Sequence, residues 1–297
     1  MAVINNRYEF VIYFDVLNGN PNGDPDNDNM PRVDTSTGLG YVTDTCLKSK
    51  IRKYISYAMD EAPGYRIFIK QGIPLQRKMA EICERMGIPA DDKALREAKS
   101  TRPDFDMEVV KVASEEFYDI RAFGGVLTTF QKVNSRAGAI LGPVQLTFGY
   151  SVDPIAPKSV TITRQAITTE KDSENKKTEI GIKPIIHYGL YRAEGYISPM
   201  QAKKWTGFSE SDLELFWKAL INMFDTDHSA ARGKMAVRSL IVFKHDTALG
   251  NAPSNELLER VSVQRKPGVS VARKFSDYDL IVNDENMPTG VEKIKLV

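Results

Sequence analysis

Five cations lie close together early in the chain: Arg32 in a polar loop, then Lys48, Lys50, Arg52 and Lys53 just after Thr43, Asp44 and Thr45. Side-chain oxygens of Thr and Asp cap helix starts. Leu47, Ile51, Tyr54, Ile55, Ala58 and Met59 then recur at the spacing of one buried helix face. The pattern predicts a helix from about Asp44 to Met59 with its basic residues on the flanks and outer side of that stripe. Cations in a first turn and a half oppose the helix macrodipole. An anion there would relieve the conflict, because exposed N–H groups and the dipole attract phosphate and the side chains add charge. A solvated basic face is the other reading, and spacing leaves both open.

The loop before this helix is acidic. Asp24, Asp26 and Asp28 are spaced like the first half of a calcium loop, but that template asks for Gly where Asn29 stands and Glu where Thr35 stands. Three carboxylates beside a phosphate-binding helix also suit magnesium-assisted phosphodiester cleavage, which keeps a metal-dependent nuclease as the alternative. Other enzyme classes lack their residues. His187, His228 and His245 fall in different elements, no metal-ligand spacing or GxxxxGK[ST] occurs, and Gly38-Leu-Gly40 lacks the third glycine of a dinucleotide site. GxSxG is missing too. Nucleophilic and nucleotide-driven chemistry is therefore not expected, and neither is a cofactor.

The elements that must position these residues belong to an ordinary globular chain, with 42% hydrophobic and 27% charged residues. Its 40 basic and 39 acidic residues leave a net charge of +1, so any nucleic-acid site must be a local groove. Cys46 and Cys83 sit within apolar helical patterns and read as buried thiols, which suits a reducing cytosol. No basic-then-apolar leader opens the chain and no apolar run approaches the roughly 20 residues of a membrane span. A cytoplasmic protein without membrane contact is expected.

In chain order, Tyr8–Leu17 is nearly continuously apolar, as in a central strand covered on both faces. Turn signals at Asn18-Gly19, Asn22-Gly23 and Asp24-Pro25 make the next segment a long loop. After the first helix, three helices are expected between Glu61 and Glu116: one carrying Leu75, Met79, Ile82, Cys83 and Met86, one capped by Asp91 and running through Lys99, and one over Asp104–Phe117. Gly124 and Gly125 allow a bend beside Arg121, which either pairs with Asp119 or serves a ligand. From Val144 to Val152 strict alternation predicts one strand with Val144, Leu146, Phe148, Tyr150 and Val152 on a single face.

Val160–Ile167 and Ile180–Ile186 flank a charged tip, residues 170–177, and predict a projecting hairpin. Arg164, Gln165 and Lys183 give it polar reach; Ile167 and Ile180 lie beside the tip. A strand over His187–Ile197, a helix capped by Ser209 and carrying Leu213, Phe216, Trp217, Leu220 and Phe224, and a strand over Met235–Lys244 come next. The segment from Ala252 is less regular and is expected to wrap the body. Without insertions the order is βαββαβ, that of a ferredoxin-like or RNA-recognition-motif sheet. The aromatic signature of ordinary RNA-recognition motifs is missing, so RNA contact through backbone charge and loops is expected.

Several motifs occur together and in order: Asn18-Gly-Asn-Pro-Asn-Gly-Asp-Pro-Asp26, Pro31-Arg-Val-Asp34, Gly40-Tyr-Val-Thr-Asp44 with Leu47-Lys48, Phe117-Tyr-Asp-Ile-Arg-Ala-Phe-Gly-Gly125, Gly142-Pro-Val-Gln145 and Ser229-Ala-Ala-Arg-Gly233. Over essentially its whole length the chain resembles the crRNA-binding backbone subunits of CRISPR Cascade complexes, of the subtype I-C kind, in the repeat-associated RNA-binding superfamily. The resemblance implies an α+β fold with a ferredoxin-like, RRM-like palm, a helical finger insertion and a projecting β-hairpin thumb. It divides the chain into palm (1–60), fingers (61–118), palm (119–158), thumb (159–185) and palm with a C-terminal wrap (186–297).

It further implies an antiviral-defense protein, not itself catalytic, that polymerises as a helical filament along crRNA. Partners would be crRNA, further copies, the large subunit and the crRNA 5'-end-binding subunit, and target DNA through guide pairing, with sequence read by base pairing. By position, Lys48, Lys50, Arg52 and Lys53 would hold phosphates with Arg32, Arg121 and Gln145 nearby, Arg164 and Ile167 would belong to the thumb, and Arg232 would join them. A related RNA-targeting branch cuts RNA with a loop aspartate, so the resemblance too keeps the endoribonuclease alternative. Neither Lys48 nor Arg52 lies on the apolar stripe, so reversing both charges is expected to weaken RNA binding and leave the fold intact.

Overall fold

The computed structural model describes residues 2–164 and 179–297. Its framework is an antiparallel sheet around β1 (Tyr8–Gly19), whose residues Tyr8 to Val16 are all buried, as expected of a nearly continuous apolar run, with Glu9 and Asp15 buried among them. A loop holding the two-residue strands β2 (Gly23–Asp24) and β3 (Met30–Pro31) leads to β4 (Leu39–Val42) and then to helix α1 (Asp44–Met59). Helices α2 (Leu75–Arg85), α3 (Asp92–Thr101) and α4 (Phe105–Glu116) form the expected insertion. The Asp91 carboxylate caps α3 by accepting from the Lys93 and Ala94 amides.

Helix α5 (Tyr118–Phe123) ends where Gly124 takes φ 71° and starts β5 (Gly124–Val126), which pairs with β6 (Ala139–Leu141) beyond the single-turn helix α6 (Thr128–Gln131). β7 (Val144–Leu146), β8 (Gly149–Pro154) and β9 (Lys158–Arg164) all pair with the 19-residue β10 (Glu179–Ile197). The strand expected over His187–Ile197 and one arm of the hairpin are thus a single strand. Helix α7 (Glu210–Asn222) begins at Ser209 in a capping box with Asp212. The chain ends with β11 (Lys234–His245), the pair β12 (Val261–Arg265) and β13 (Tyr278–Val282), and β14 (Val291–Lys295).

The sheet runs β14-β11-β1-β10-β8-β4. Leaving out the two edges, the order β11-β1-β10-β8 with α1 and α7 between strands is the βαββαβ arrangement, and the fold is α+β. Alternation splits β1 between two cores: Phe10, Ile12, Phe14 and Val16 meet Leu47, Ile51 and Ile55 of α1 and Leu213, Phe216 and Leu220 of α7. Val11 and Tyr13 face Leu257, Leu258, Val261 and Tyr278 of the C-terminal segment. A third core, including Phe68, Ile82, Leu95, Phe105, Val109, Phe130 and Ile140, is built from the helical insertion and the segment 117–140.

One expected element breaks in two. Val144–Leu146 and Tyr150–Ser151 pair with β10 in registers that differ by one residue, so the strand slips between β7 and β8. A one-residue slip turns every later side chain to the other face. Val144 and Leu146 stay in the core, whereas Phe148 and Tyr150 lie exposed. Residues 165–178, which include Gln165, Ile167 and the charged tip, lie outside the described residues.

Candidate nucleic-acid interface

The start of α1 is held by a relay from the loop. Asn22 Oδ1 accepts from the Thr43 amide at 3.0 Å and from its hydroxyl at 3.1 Å, and Thr43 Oγ1 caps the helix by accepting from the Cys46 amide at 3.2 Å. A second loop, carrying the Ser229–Gly233 motif, crosses the end of β1 with no room for side chains. A Cβ at Gly19 would lie 1.9 Å from the Arg232 carbonyl oxygen, and Gly233, at φ 62°, would meet the Asn18 carbonyl oxygen at 2.4 Å. That crossing sets Arg232 over the helix start, where its Nη1 donates to the carbonyls of Asn20 at 3.2 Å and Pro21 at 3.3 Å.

Between these pieces lies a cleft of about 350 Å3 lined by Asn22, Arg32, Thr43, Lys50, Lys53, Asp227 and Arg232, among others. Four of the cations singled out by sequence, from three distant segments, converge there. Lys53 is the most exposed of the four, at 39%. Asp227 joins three of them: Lys50 Nζ binds its Oδ2, Lys53 Nζ lies 3.1 Å from Oδ1, and Arg232 Nε lies 3.4 Å from Oδ2. Burial alone would raise the Asp227 carboxyl. Hydrogen bonds from Lys50 and Lys53 and the charges of Lys50 and Arg232 outweigh it and hold the group below the usual carboxylate range. Arg32 pairs with Asp24 at 3.4 Å. Cations thus outnumber carboxylates at a helix N-terminus, an arrangement that favours phosphate.

The remaining candidates lie elsewhere. Lys48 pairs with Asp44 at 2.9 Å, one turn back on α1. Arg52 does not flank the helix surface: its side chain is 10% exposed and binds the fully buried Asp119 at 2.8 Å, which also accepts from the amides of Phe68 at 2.7 Å and Ile69 at 3.0 Å. Reversing the Arg52 charge would therefore strand a buried carboxylate, so the expectation of an intact fold is corrected for this residue.

Arg121 does not pair with Asp119. The two are two residues apart on α5 and point different ways. Arg121 instead forms a fork with Asp212 at 2.8 and 3.0 Å and donates to the Ser114 carbonyl at 2.6 Å. It borders a cavity of about 840 Å3 between α4 and residues 202–207, with its guanidinium already committed. Gln145 donates to the Gly142 carbonyl at 3.0 Å, and Arg164 is the last residue of β9, opposite Glu179.

Sequence reasoning passed over Asp227, whose only signal is its place two residues before Ser229. Cys46 borders the cleft, with burial pushing its thiol up. Asp24, Asp26 and Asp28 occupy a tight turn in which Asp24 accepts from the Asp26 amide at 3.3 Å and Asp28 has φ 46°. Among the described residues no group of three or more His, Cys, Asp or Glu side chains is placed to hold a metal. No described helix is long and apolar enough to cross a membrane.

A protein-family model described as CRISPR-associated protein Cas7 matches residues 6–283. The CRISPR-associated protein Cas7 of Haloferax volcanii is 25% identical over 238 residues, which is 73% of this chain and 65% of that protein, so the chain spans just under two thirds of that relative's length. Similar solved chains include one from a CRISPR RNA-guided surveillance complex, pre-nicking, with TM-score 0.48 and 13% identity over 80% of this chain and 78% of that one. Another comes from the type III-B Cmr-beta complex bound to cognate target RNA, with TM-score 0.41 and 11% identity over 80% of this chain and 61% of that one.

Proposed function

The chain belongs to the CRISPR-associated Cas7 family, and on that premise we propose that it is a non-catalytic subunit that holds a guide RNA by its phosphates. Copies line up along the crRNA as the backbone of a type I-C surveillance complex, with target DNA reached through guide pairing. The observation that carries this reading is the convergence of Arg32, Lys50, Lys53 and Arg232 on one cleft at the start of α1. In this reading 61–118 are fingers, 159–185 a thumb that carries Arg164 and Ile167, and the sheet with its helices a palm. Lys48, Arg52, Arg121 and Gln145 lie outside the cleft lining, with Arg52 and Arg121 committed to the buried carboxylates of Asp119 and Asp212.

The test reverses the two accessible cleft cations, Lys53→Glu with Arg232→Glu. RNA affinity should fall at least tenfold and the salt slope should flatten by about 1.4, at roughly 0.7 per lost phosphate contact on a single strand. Unchanged binding across a salt titration would overturn the assignment. Incubating bound RNA with magnesium checks the nuclease alternative: regular cuts abolished by Asp24→Asn would establish it.

A further inference from the structure

Three aromatic rings lie together on the sheet face away from α1 and α7. Phe148 and Tyr150 are 41% and 46% exposed. Tyr41 pairs with Tyr150 across β4 and β8, and its ring lies nearly parallel to that of Phe148, at 4° with centroids 6.1 Å apart, and 6.2 Å from that of Tyr150. The one-residue slip between β7 and β8 puts them there, because without it both would continue the buried row of Val144 and Leu146. Most of this face is covered by Leu257, Leu258, Val261 and Tyr278. Phe148 and Tyr150 border the part left open, a shallow groove of about 470 Å3 with Tyr13, Arg192, Ser262 and Val263 on its other sides, and Tyr41 lies beside them.

The occupant is indicated by the side chains that adjoin the rings. The Arg32 guanidinium lies 6.0 Å from the Tyr41 centroid and also borders the cation cleft, and its Nε has no hydrogen-bond partner. One side chain therefore separates a phosphate-sized basic site from a row of open rings. Single-strand binders combine these two features: cations track the backbone, and rings take bases of any sequence because every base has a π-face.

The geometry points to a base-stacking platform. Tyr41, Phe148 and Tyr150 take bases of the strand whose phosphates occupy the cleft, with Arg32 spanning the two. This rests on the guide-binding reading above and adds to it, since charge alone would bind a sugar-phosphate chain as well as an RNA.

Fluorescence anisotropy on protein stripped of RNA by high salt tests this with two probes of equal length, an oligouridylate and an abasic ribose-phosphate chain. The wild type should prefer the oligouridylate about tenfold. Phe148→Leu with Tyr150→Leu should abolish that preference and leave abasic binding unchanged, and Phe148→Trp should preserve it. Equal binding of both probes by the wild type, or a preference that survives the leucine variant, overturns the platform and leaves the cleft standing. A leucine variant that loses self-association in light scattering while keeping the preference assigns the face to a second copy and overturns it too. A wild type that binds neither probe overturns both readings.

Discussion

Lys48, Lys50, Arg52 and Lys53 leave α1 within a turn and a half, yet their side-chain exposures are 13, 4, 10 and 39%. The difference comes from their partners. Arg52 reaches a fully buried carboxylate, and among the described residues no other ion pair to it is formed, so Arg52→Glu should destabilise the protein by about 3–5 kcal/mol, the range for breaking a buried pair. Lys48→Glu breaks an i,i+4 pair whose Asp44 partner is 28% exposed and stays solvated, so it should cost less, about 1–2 kcal/mol. Urea denaturation of the two variants measures the contrast, and equal losses would contradict it. Asp227→Asn should act in the opposite sense on binding: it removes the carboxylate that competes with phosphate for Lys50, Lys53 and Arg232, so RNA affinity should rise while stability falls by about 2 kcal/mol because Lys50 loses its partner. Helical spacing displayed the cations but not their fates. Asp119 lies 67 residues from Arg52 and Asp227 lies 177 from Lys50, and no local period reports such pairings.

At the scale of elements, β1, β11 and the segment after Asn251 are joined by one buried carboxylate. Glu9 Oε2 accepts from His245 Nε2 at 2.5 Å, Oε1 accepts from Ser254 at 2.8 Å and from Arg7 Nε at 2.6 Å, and His245 Nδ1 accepts from the Asn251 amide at 2.8 Å. Burial alone would raise the Glu9 carboxyl, but the hydrogen bonds from His245, Ser254 and Arg7 outweigh it and lower the group below its ordinary 4.5. A carboxyl lowered by folding stabilises the protein fully above its unfolded value and loses that contribution as pH falls through the folded one. Thermal stability should therefore drop more steeply below pH 4.5 in the wild type than in Glu9→Gln, which is less stable at neutral pH; parallel profiles would remove this role. The capped helices and the nearly continuous apolar run of β1 were legible because each is written in consecutive residues. The slip between β7 and β8 was not, since a period-2 count runs through a bulge without registering it, and Phe148 and Tyr150 were assigned to the wrong face.

For the whole molecule, a net charge of +1 means that the proposed attraction to RNA would have to come from a few converging side chains and not from a general field. This bounds what a salt titration will read. With Arg32, Lys53 and Arg232 facing phosphates and Lys50 held by Asp227, the slope of log affinity against log salt should be about −2 per subunit, at roughly −0.7 for each contact with a single strand. A slope near zero would mean that the cleft holds no phosphate; one beyond about −5 would require phosphate contacts from cations outside the cleft. The same count bears on assembly. On the proposed function, two or three phosphate contacts would hold one subunit weakly, and stable coverage of a guide would need neighbouring copies to bind cooperatively. Light scattering at rising protein concentration should accordingly show a sigmoidal passage from free RNA to large, nuclease-resistant particles. A hyperbolic titration ending in single bound subunits would instead make each copy an independent binder.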